Sequence, residues 1–343
     1  MIAIQPATDL QTWNSFLASQ PFSPFLQSFE MGEVYRDLGQ EPIRLEIWED
    51  GKIVGTCFGH VVPARRGRHL AIPYGPVIAA SCRQETVRLL MEALKDSAST
   101  HHCSFIRISP FWKNNSPYQI PYAKSAPLHL LAEHIWLLDL KEKTGEDILK
   151  DMRKTTRNLI RRAEKEGVQV RASDDPLRDL PIFLKLHEET RKRHSFTPYT
   201  NAFFEAQVRN FHKKSRTDVT CTLYIATYNL EPIASSIHMH FGGETSYHHG
   251  ASTHKYPKIP ASYLLQWTAI QDALTHGDHL YNFWGVAPRG LQPKKHPFAG
   301  VTTFKIGFGG YPLELMHCID IPLKSSYYLT RGFETLRKWK RGF

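Results

Sequence analysis

A lysine shortly before a pair of glycines is the most specific candidate for chemistry in this chain. The segment GVTTFKIGFGG, residues 300–310, places Lys305 next to Phe304 and ends in two glycines. An ammonium group beside aromatic rings can bind a polarised acyl or phosphate oxygen, and glycines let backbone N–H groups approach a ligand closely. Taken alone, the pattern favours a buried strand over residues 301–308 whose lysine reaches solvent before a Gly-Gly turn. The chemical interpretation therefore depends on the residues that accompany the lysine.

The 18 histidines raise the question of a metal site, for which His238, His240 and His249 are the best candidates. A two-residue turn at Gly242-Gly243 would place His238 opposite Tyr247 and leave His240 about four strand positions from His249. That separation is too large for one tetrahedral zinc ion, so we expect no metal. Two interpretations stay open: His238, Tyr247 and His249 line a polar groove that supplies hydrogen bonds or a proton relay, or they are satisfied residues of a sheet surface.

A basic helix is predicted over residues 145–165, with Gly167 as its stop. Its arginines fall four residues apart and form one stripe along a single face: Arg153, Arg157 and Arg161. Such a stripe suits phosphate contact, and it is equally typical of a solvated helix surface.

Composition indicates a soluble protein of two domains. The chain has 343 residues, 41% of them hydrophobic and 22% charged, which is enough for two sizeable cores. It contains no apolar run of the roughly 18 to 20 residues that span a bilayer, and its start resembles no secretory signal, so we expect a cytoplasmic protein. The formal charge of +10, concentrated over residues 150–171 and 324–341, favours RNA, nucleotides or an anionic membrane as partners. Five widely spaced cysteines without a C-x-x-C motif indicate neither disulfides nor a zinc site.

Each half of the chain repeats one theme, in which antiparallel strands lead into a strand, a loop, a helix and a further strand. In the first half these are a hairpin over 42–62, a strand over 69–77, a helix over 83–97 and a strand over 104–108. In the second half they are strands over 220–228, 233–241 and 246–251, a helix over 261–276 and a strand over 279–286. This arrangement resembles the fold of GNAT-type N-acyltransferases.

The start of the helix at 261 is a candidate anion site, because its free N–H groups and the positive end of its dipole favour phosphate. The preceding residues read KIPAS at 258–262. They lack the Gln/Arg-x-x-Gly-x-Gly/Ala pattern with which many GNAT enzymes hold the coenzyme A pyrophosphate. A coenzyme A donor is therefore disfavoured.

Several motifs in order resemble the FemA/FemB/FemX family of bacterial aminoacyltransferases. The earlier ones are FLQS at 25–28, YGPV at 74–77, RKTTRNLIRRAEKEGVQV at 153–170, ETRKRHSF at 189–196 and YHHGAS at 247–252. The strongest are PASYLLQW at 260–267, YNFWGV at 281–286, Phe304-Lys305, and FGG at 308–310. Any one match would be a coincidence, but together they cover most of the chain.

The resemblance implies an α+β fold of two tandem GNAT-like domains, each a mostly antiparallel mixed sheet flanked by helices. It places domain one at residues 1–140, completed by a helix within 318–343, and domain two at 141–317. No long helical hairpin interrupts the second half, so the chain resembles the shorter members of the family.

The chemistry implied is attack by a primary amine on the ester that links an amino acid to the terminal ribose of tRNA. The implied partners are aminoacyl-tRNA as co-substrate and a peptidoglycan precursor, either UDP-MurNAc-pentapeptide or lipid II, with no further cofactor. Lys305 matches a family lysine that acts near the tRNA end or the oxyanion, Phe304 shapes its pocket, and Tyr247 completes the expected catalytic group. The expected substrate-binding residues are Arg36, Tyr74, Arg157, Arg193, His249 and Tyr263. No general base stands out.

Departures from the family pattern leave the acceptor open. The family often carries a substrate-binding lysine where this chain has Tyr35 and Arg36, and its usual Tyr-Asp-Phe-Gly reads YNFW at 281–284. The segment 331–341 interleaves apolar and basic residues, which is typical of contact with the inner face of the plasma membrane, of contact with tRNA, or of a plain surface helix. Two other functions remain: an acyl-CoA-dependent N-acyltransferase for another amine, and a noncatalytic protein that binds tRNA or the precursor.

Overall fold

The computed structural model describes residues 1–64, 67–82, 84–194, 199–212, 219–288 and 297–341. Its elements up to residue 133 are β1 (Ile2–Pro6), α1 (Leu10–Ala18), α2 (Phe29–Asp37), β2 (Pro42–Glu49), β3 (Lys52–Val62), β4 (His69–Pro73), β5 (Val77–Ile78), α3 (Gln84–Thr100), β6 (Phe105–Ser109) and β7 (Lys124–Ser125). Then follow β8 (His134–Asp139), α4 (Gly145–Asp151), α5 (Lys154–Lys165), β9 (Gln169–Ala172), α6 (Pro176–His194), α7 (Asn201–Phe211), β10 (Thr220–Tyr228), β11 (Glu231–Phe241), β12 (Glu244–Ser252), α8 (Ala261–His276), β13 (Leu280–Gly285), α9 (Ala299–Ile306) and β14 (Tyr311–Glu314). The last two are β15 (Ile319–Pro322) and α10 (Tyr327–Arg341).

The chain forms two compact units. Unit 1 comprises Met1–Glu133 and Glu314–Phe343, and unit 2 comprises His134–Leu313. Each unit has its own mixed sheet and its own hydrophobic core. The predicted α+β architecture, with helices packed on mostly antiparallel sheets, is confirmed.

The sheet of unit 1 runs in the order β1-β2-β3-β4-β6-β15-β7, with β5 paired to β3. Among the strand pairs formed by its described residues, β4 and β6 are parallel and the others are antiparallel. The β2–β3 hairpin closes through Asp50 and Gly51, both with positive φ, which is the geometry of a type I′ turn. Helix α3 covers the sheet with apolar residues spaced three or four apart: Val87, Leu90, Met91, Leu94 and Ala98.

The sheet of unit 2 runs in the order β14-β8-β13-β12-β11-β10-β9. Strands β11 and β12 form a hairpin closed by Gly242 and Gly243, as predicted, and both glycines have positive φ. Strands β12 and β13 are joined by α8 and pair in parallel. Helices α5 and α8 pack together and share one core with the sheet residues Tyr224, Ala226 and Ala234.

The single basic helix predicted over 145–165 is wrong, because the chain breaks into α4 and α5. Met152 and Arg153 have extended backbone between the two helices. The guanidinium of Arg157 donates to the carbonyls of Leu149 and Lys150 and so caps the end of α4. Arg153 therefore stands before α5, and the three arginines do not form one stripe along a single helix.

Candidate active site

The parallel pairing of β12 and β13 is short and leaves an opening in the sheet of unit 2. It extends only from Glu244 opposite Leu280 to Ser246 opposite Asn282. Beyond this ladder β12 continues through Tyr247 and β13 continues to Gly285 without further pairing between them. Backbone groups at such an opening are available for hydrogen bonds with other parts of the protein, and in unit 2 a side chain from α9 forms such a bond.

Lys305 occupies this opening. Its ammonium donates a hydrogen bond to the Gly285 carbonyl oxygen at 2.7 Å and lies 5.6 Å from the centre of the Tyr247 ring. The lysine sits in α9, so the strand predicted over 301–308 is wrong, and its side chain is only 6% exposed instead of reaching solvent.

An aromatic cluster explains why this segment is a helix. Phe304 and Phe308 are four residues apart and both pack on Tyr263, at ring-centre distances of 4.9 and 5.9 Å. Only helical spacing brings residues four apart onto the same neighbour. The end of α9 is held as closely, because a Cβ on Gly307 would lie 2.4 Å from the Thr156 hydroxyl. The position of Lys305 is thus fixed by packing on both sides of it.

The electrostatic state of Lys305 follows from its burial. Desolvation of the charged form lowers the pKa of Lys305 to about 7. Among the residues that the structure describes, none gives this lysine a carboxylate partner, and the Gly285 carbonyl is its hydrogen-bond acceptor. A lysine in this state changes between ammonium and amine near neutral pH and can donate to a developing oxyanion or exchange a proton.

A pocket of about 510 Å³ opens at the start of α8 in the same unit. Its described lining includes three cationic side chains, Arg162, Arg193 and Lys258, and contains no aspartate or glutamate. Arg193 reaches it by donating to the carbonyl and hydroxyl oxygens of Ser252, each at 3.2 Å. Tyr263 lines this pocket and also packs against Phe304. The predicted residues Arg193 and Tyr263 therefore share one concave, positively charged surface that suits an anionic ligand.

The histidines divide between the two faces of the sheet, so the predicted polar groove is wrong. His238 lies opposite Tyr247 as expected, but it is fully buried and bonds to the Tyr281 hydroxyl at 2.8 Å. A β-bulge makes His249 the partner of Ile237, and this irregularity turns the His249 ring away from Tyr247. That ring packs against Phe183 and Phe204, which come from α6 and α7. Burial lowers the pKa of His238 and His249 well below the usual histidine range, so both are neutral.

Three predicted substrate-binding residues are engaged in contacts with other parts of their own unit. Arg157 is occupied in capping α4. In unit 1, Arg36 pairs with Glu33 on the last turn of α2, and Tyr74 is 1% exposed with its hydroxyl bonded to the Ala132 carbonyl at 2.7 Å. Ser195 and Phe196, which end one of the family-like motifs, lie outside the described residues.

Two groups near the opening were missed by sequence reasoning. Glu244 is buried where the β12–β13 ladder begins and accepts hydrogen bonds from Asn282 and Ser246 at 2.9 and 2.8 Å. Burial raises the pKa of Glu244 to about 7. The Asn282 that replaces the family's usual aspartate could have indicated a nearby acid, since an aspartate there would repel Glu244. The second group, the Gly285 carbonyl, is a backbone atom that no side-chain pattern reveals.

Comparisons with known proteins agree with this architecture. The sequence model described as the FemAB family matches residues 8–120, 129–231 and 220–335. An aminoacyltransferase FemA from Staphylococcus aureus (strain MRSA252) is 21% identical over 417 aligned positions that cover 96% of this chain and 97% of the relative. The alignment is longer than this chain, so FemA has segments without a counterpart here.

Solved structures give the same result for the fold. A crystal structure of FemX superposes with a TM-score of 0.81 at 17% identity, covering 96% of this chain and 99% of that one. A tandem GNAT protein from the clavulanic acid biosynthesis pathway superposes with a TM-score of 0.55 at 12% identity, covering 94% and 98%. The prediction of two tandem GNAT-like folds is confirmed.

Proposed function

Because the chain belongs to the FemAB family, we propose that it is an aminoacyltransferase that transfers an amino acid from aminoacyl-tRNA to an amine of the stem peptide of a peptidoglycan precursor. The name of the FemA relative, aminoacyltransferase, supports the reaction class. The tRNA donor and the precursor acceptor are our extension from the motif resemblance. No cofactor is required, because the aminoacyl ester is already activated.

In the proposed reaction the acceptor amine nitrogen attacks the ester carbonyl carbon. A C–N bond forms, the carbonyl oxygen gains negative charge in a tetrahedral intermediate, and the C–O bond to the ribose then breaks. The amine loses a proton and the departing ribose hydroxyl gains one. The protein must orient both substrates and stabilise the oxyanion.

Lys305 is the observation that carries the proposal. It is a buried ammonium donor at the opening between β12 and β13, with Tyr247 beside it and without a described carboxylate to neutralise it. A donor fixed in a site that excludes water stabilises an oxyanion far more than a donor in solution does. The pocket with Arg162, Arg193 and Lys258 supplies positive charge for the phosphates of the tRNA end.

The first experiment incubates the purified protein with UDP-MurNAc-pentapeptide or lipid II and a mixture of charged tRNAs. Mass spectrometry then measures amino acids added to the precursor, with and without RNase. We expect a mass gain that RNase abolishes. A gain that needs acyl-CoA and resists RNase would favour the acyl-CoA-dependent alternative, and no gain from folded protein with either donor would overturn the proposal.

The lysine is tested with Lys305→Met, which has similar length and no charge. We expect kcat to fall by about 10²- to 10³-fold, the loss seen when one oxyanion donor is removed. Lys141→Met is the matched control, because Lys141 is exposed in the same unit, and it should keep wild-type activity. Equal activity of the two variants would exclude Lys305 from the chemistry.

The pH dependence tests which form of Lys305 is active. If the ammonium is the active form, kcat/KM should fall as pH rises through the Lys305 pKa of about 7. The arginine in Lys305→Arg stays charged across this range. The variant should therefore show no fall in kcat/KM at alkaline pH, even if its overall rate is low. A rate that instead rises through the same pH would assign the neutral amine, and hence a general base, to Lys305.

A further inference from the structure

Helix α10 of unit 1 turns its apolar residues toward solvent. Leu329 is 80% exposed, Leu336 is 61% exposed and Trp339 is 81% exposed. Tyr328 and Phe333 are also exposed on this side. With 3.6 residues per turn these five side chains project over one side of the helix, which we call the outer face. Single exposed apolar residues are ordinary, but five on one helix face form a patch of the kind that marks an interaction site.

The opposite side of α10 attaches the helix to unit 1 through polar groups. The Glu334 carboxylate accepts hydrogen bonds from Arg107 at 2.7 and 3.0 Å. Tyr327 is fully buried and donates to Asp320 at 3.1 Å, while Arg331 donates to the Ser125 carbonyl at 2.7 Å. A surface helix normally buries its apolar side. In α10 the buried Tyr327 ring and polar anchors hold the inner side, and most of the apolar side chains face outward.

Positive charge accompanies the outer face. Within α10 the sequence has five basic residues and one acidic residue, Glu334, which pairs with Arg107 on the inner side. Arg337 and Lys340 are exposed next to the apolar side chains. Lys124, the first residue of β7, lies 5.3 Å from the centre of the exposed Tyr328 ring.

From this combination we propose that the outer face of α10 docks unit 1 on an anionic lipid bilayer, with the helix lying in the plane of the interface. The apolar side chains enter the boundary between headgroups and acyl chains, Trp339 and Tyr328 lie at headgroup level, and the basic residues contact anionic headgroups. None of the described helices is long and apolar enough to cross a membrane.

Two other partners fit the outer face less well. An RNA backbone is bound by cations and hydrogen-bond donors, and it would leave the exposed leucines without a partner. A second copy of the chain would place the same face against itself across a two-fold axis, so that Arg337 and Lys340 would approach their own counterparts without acids to balance them. A bilayer satisfies both the apolar and the cationic parts of the face.

The first test is cosedimentation of the full chain with vesicles, carried out without tRNA or precursor, so its failure is distinct from failure of the proposed transfer reaction. Wild type should bind vesicles of phosphatidylglycerol and phosphatidylethanolamine, bind phosphatidylcholine vesicles at least about tenfold more weakly, and lose affinity as salt is raised. Absence of binding to the anionic vesicles at low salt would overturn the proposal.

Matched variants locate the contact. The triple variant Leu329→Ser, Leu336→Ser, Trp339→Ser should weaken vesicle binding by about tenfold or more. A control triple variant, Tyr122→Ser, Leu177→Ser, Leu230→Ser, removes other exposed apolar side chains and should bind as wild type does. Arg337→Glu with Lys340→Glu should also weaken binding by about tenfold, whereas Lys141→Glu with Lys165→Glu, which alters net charge equally, should have a much smaller effect.

A second measurement does not depend on how the triple variant folds. Vesicles with brominated acyl chains should quench part of the wild-type tryptophan fluorescence, and Trp339→Phe should remove most of that quenching while binding persists. Equal quenching in wild type and Trp339→Phe would overturn the proposal. The proposal would also be overturned if the triple variant lost tRNA binding but kept vesicle binding. The same holds if wild type were a dimer and the triple variant a monomer.

Discussion

Each unit of this protein contains a buried cation, and the two differ in what surrounds the charge. In unit 1, Arg107 is hydrogen-bonded to both Asp320 and Glu334, with the shortest contact to each at 2.7 Å. These carboxylates raise the pKa of Arg107 above its usual value despite burial. In unit 2, Lys305 donates to the carbonyl of Gly285, and burial lowers its pKa to about 7.

The comparison shows that burial of a charge does not by itself identify a functional site. Arg107 has enough acidic partners to remain charged at any pH, so its role is to join β15 and α10 to the sheet. Lys305 is held by packing and has a neutral acceptor, so it can change its charge when a substrate brings negative charge. The number of carboxylate partners separates the structural cation from the candidate catalytic one.

The largest loss of stability is expected for a substitution of Arg107. Arg107→Ala leaves the buried Asp320 without its main partner and should reduce the free energy of unfolding of unit 1 by about 3–5 kcal/mol. Arg88→Ala is the matched control, because Arg88 also pairs with two carboxylates, Glu85 and Glu92, but all three are exposed. It should cost less than about 1 kcal/mol in the same urea titration. Similar losses for both variants would show that Arg107 is not a special anchor.

Lys305→Met should change the free energy of unfolding in the opposite direction and make the protein more stable. Unfolded Lys305 keeps its proton up to about pH 10.5, whereas the folded protein releases it near pH 7. The unfolded state therefore binds more protons between these values, and wild-type stability rises with pH across them. Methionine carries no charge to desolvate, so the variant should be more stable than wild type by on the order of 5 kcal/mol at and below pH 7. The difference should vanish above pH 10.5, and denaturant titrations at several pH values measure it. A variant less stable than wild type at pH 7 would contradict this account.

Gly307→Ala tests whether packing rather than charge holds Lys305 in position. The new Cβ would meet the Thr156 hydroxyl at 2.4 Å, so either the Thr156 side chain or α9 must shift. We expect a loss of about 2 kcal/mol in stability and a lower transfer rate. Gly300→Ala adds a methyl group to the same helix with nothing within 4 Å, and should be neutral or slightly stabilising. Equal effects at the two positions would remove the steric explanation.

Glu244→Gln gives the most specific effect, because it is confined to one range of pH. The folded state keeps the Glu244 proton up to about pH 7, whereas the unfolded state loses it near pH 4.5, so wild-type stability falls as pH rises through this window. Glutamine keeps an oxygen that can accept from Asn282 and Ser246. The variant should gain on the order of 3 kcal/mol over wild type above pH 7 and nothing below pH 4.5. Thermal unfolding at both ends of the window would show it, and a constant offset would assign the effect to packing.

Much of the fold could be predicted because local patterns and tertiary packing agree. The turns at Asp50-Gly51 and Gly242-Gly243 need positive φ, which fixed both hairpins and placed His238 opposite Tyr247. The predicted helix over 261–276 has the bounds that the structure shows. At these positions one residue type determines the backbone geometry.

The candidate site was less predictable because its geometry comes from tertiary contacts. The residues of 301–308 have strand-like composition, yet α9 forms because Phe304 and Phe308 pack on Tyr263, which is distant in sequence. Likewise a single bulge turned His249 to the opposite face from Tyr247. The identity of Lys305 as a candidate was visible in the sequence, but its burial and its carbonyl partner were not.

The position of strand β15 in the sequence limits the order in which the two units can fold during synthesis. It lies inside the sheet of unit 1, between β6 and β7, but the ribosome makes it only after the whole of unit 2. Arg107 likewise cannot form its ion pairs until Asp320 and Glu334 have been made, and these residues lie 213 and 227 positions further along the chain. Until then a nascent unit 1 presents the open edge of β6, a state that invites mispairing and chaperone binding. All residues of unit 2 are therefore made before unit 1 can complete its sheet, and a chain that ended before β15 would keep the edge of β6 open.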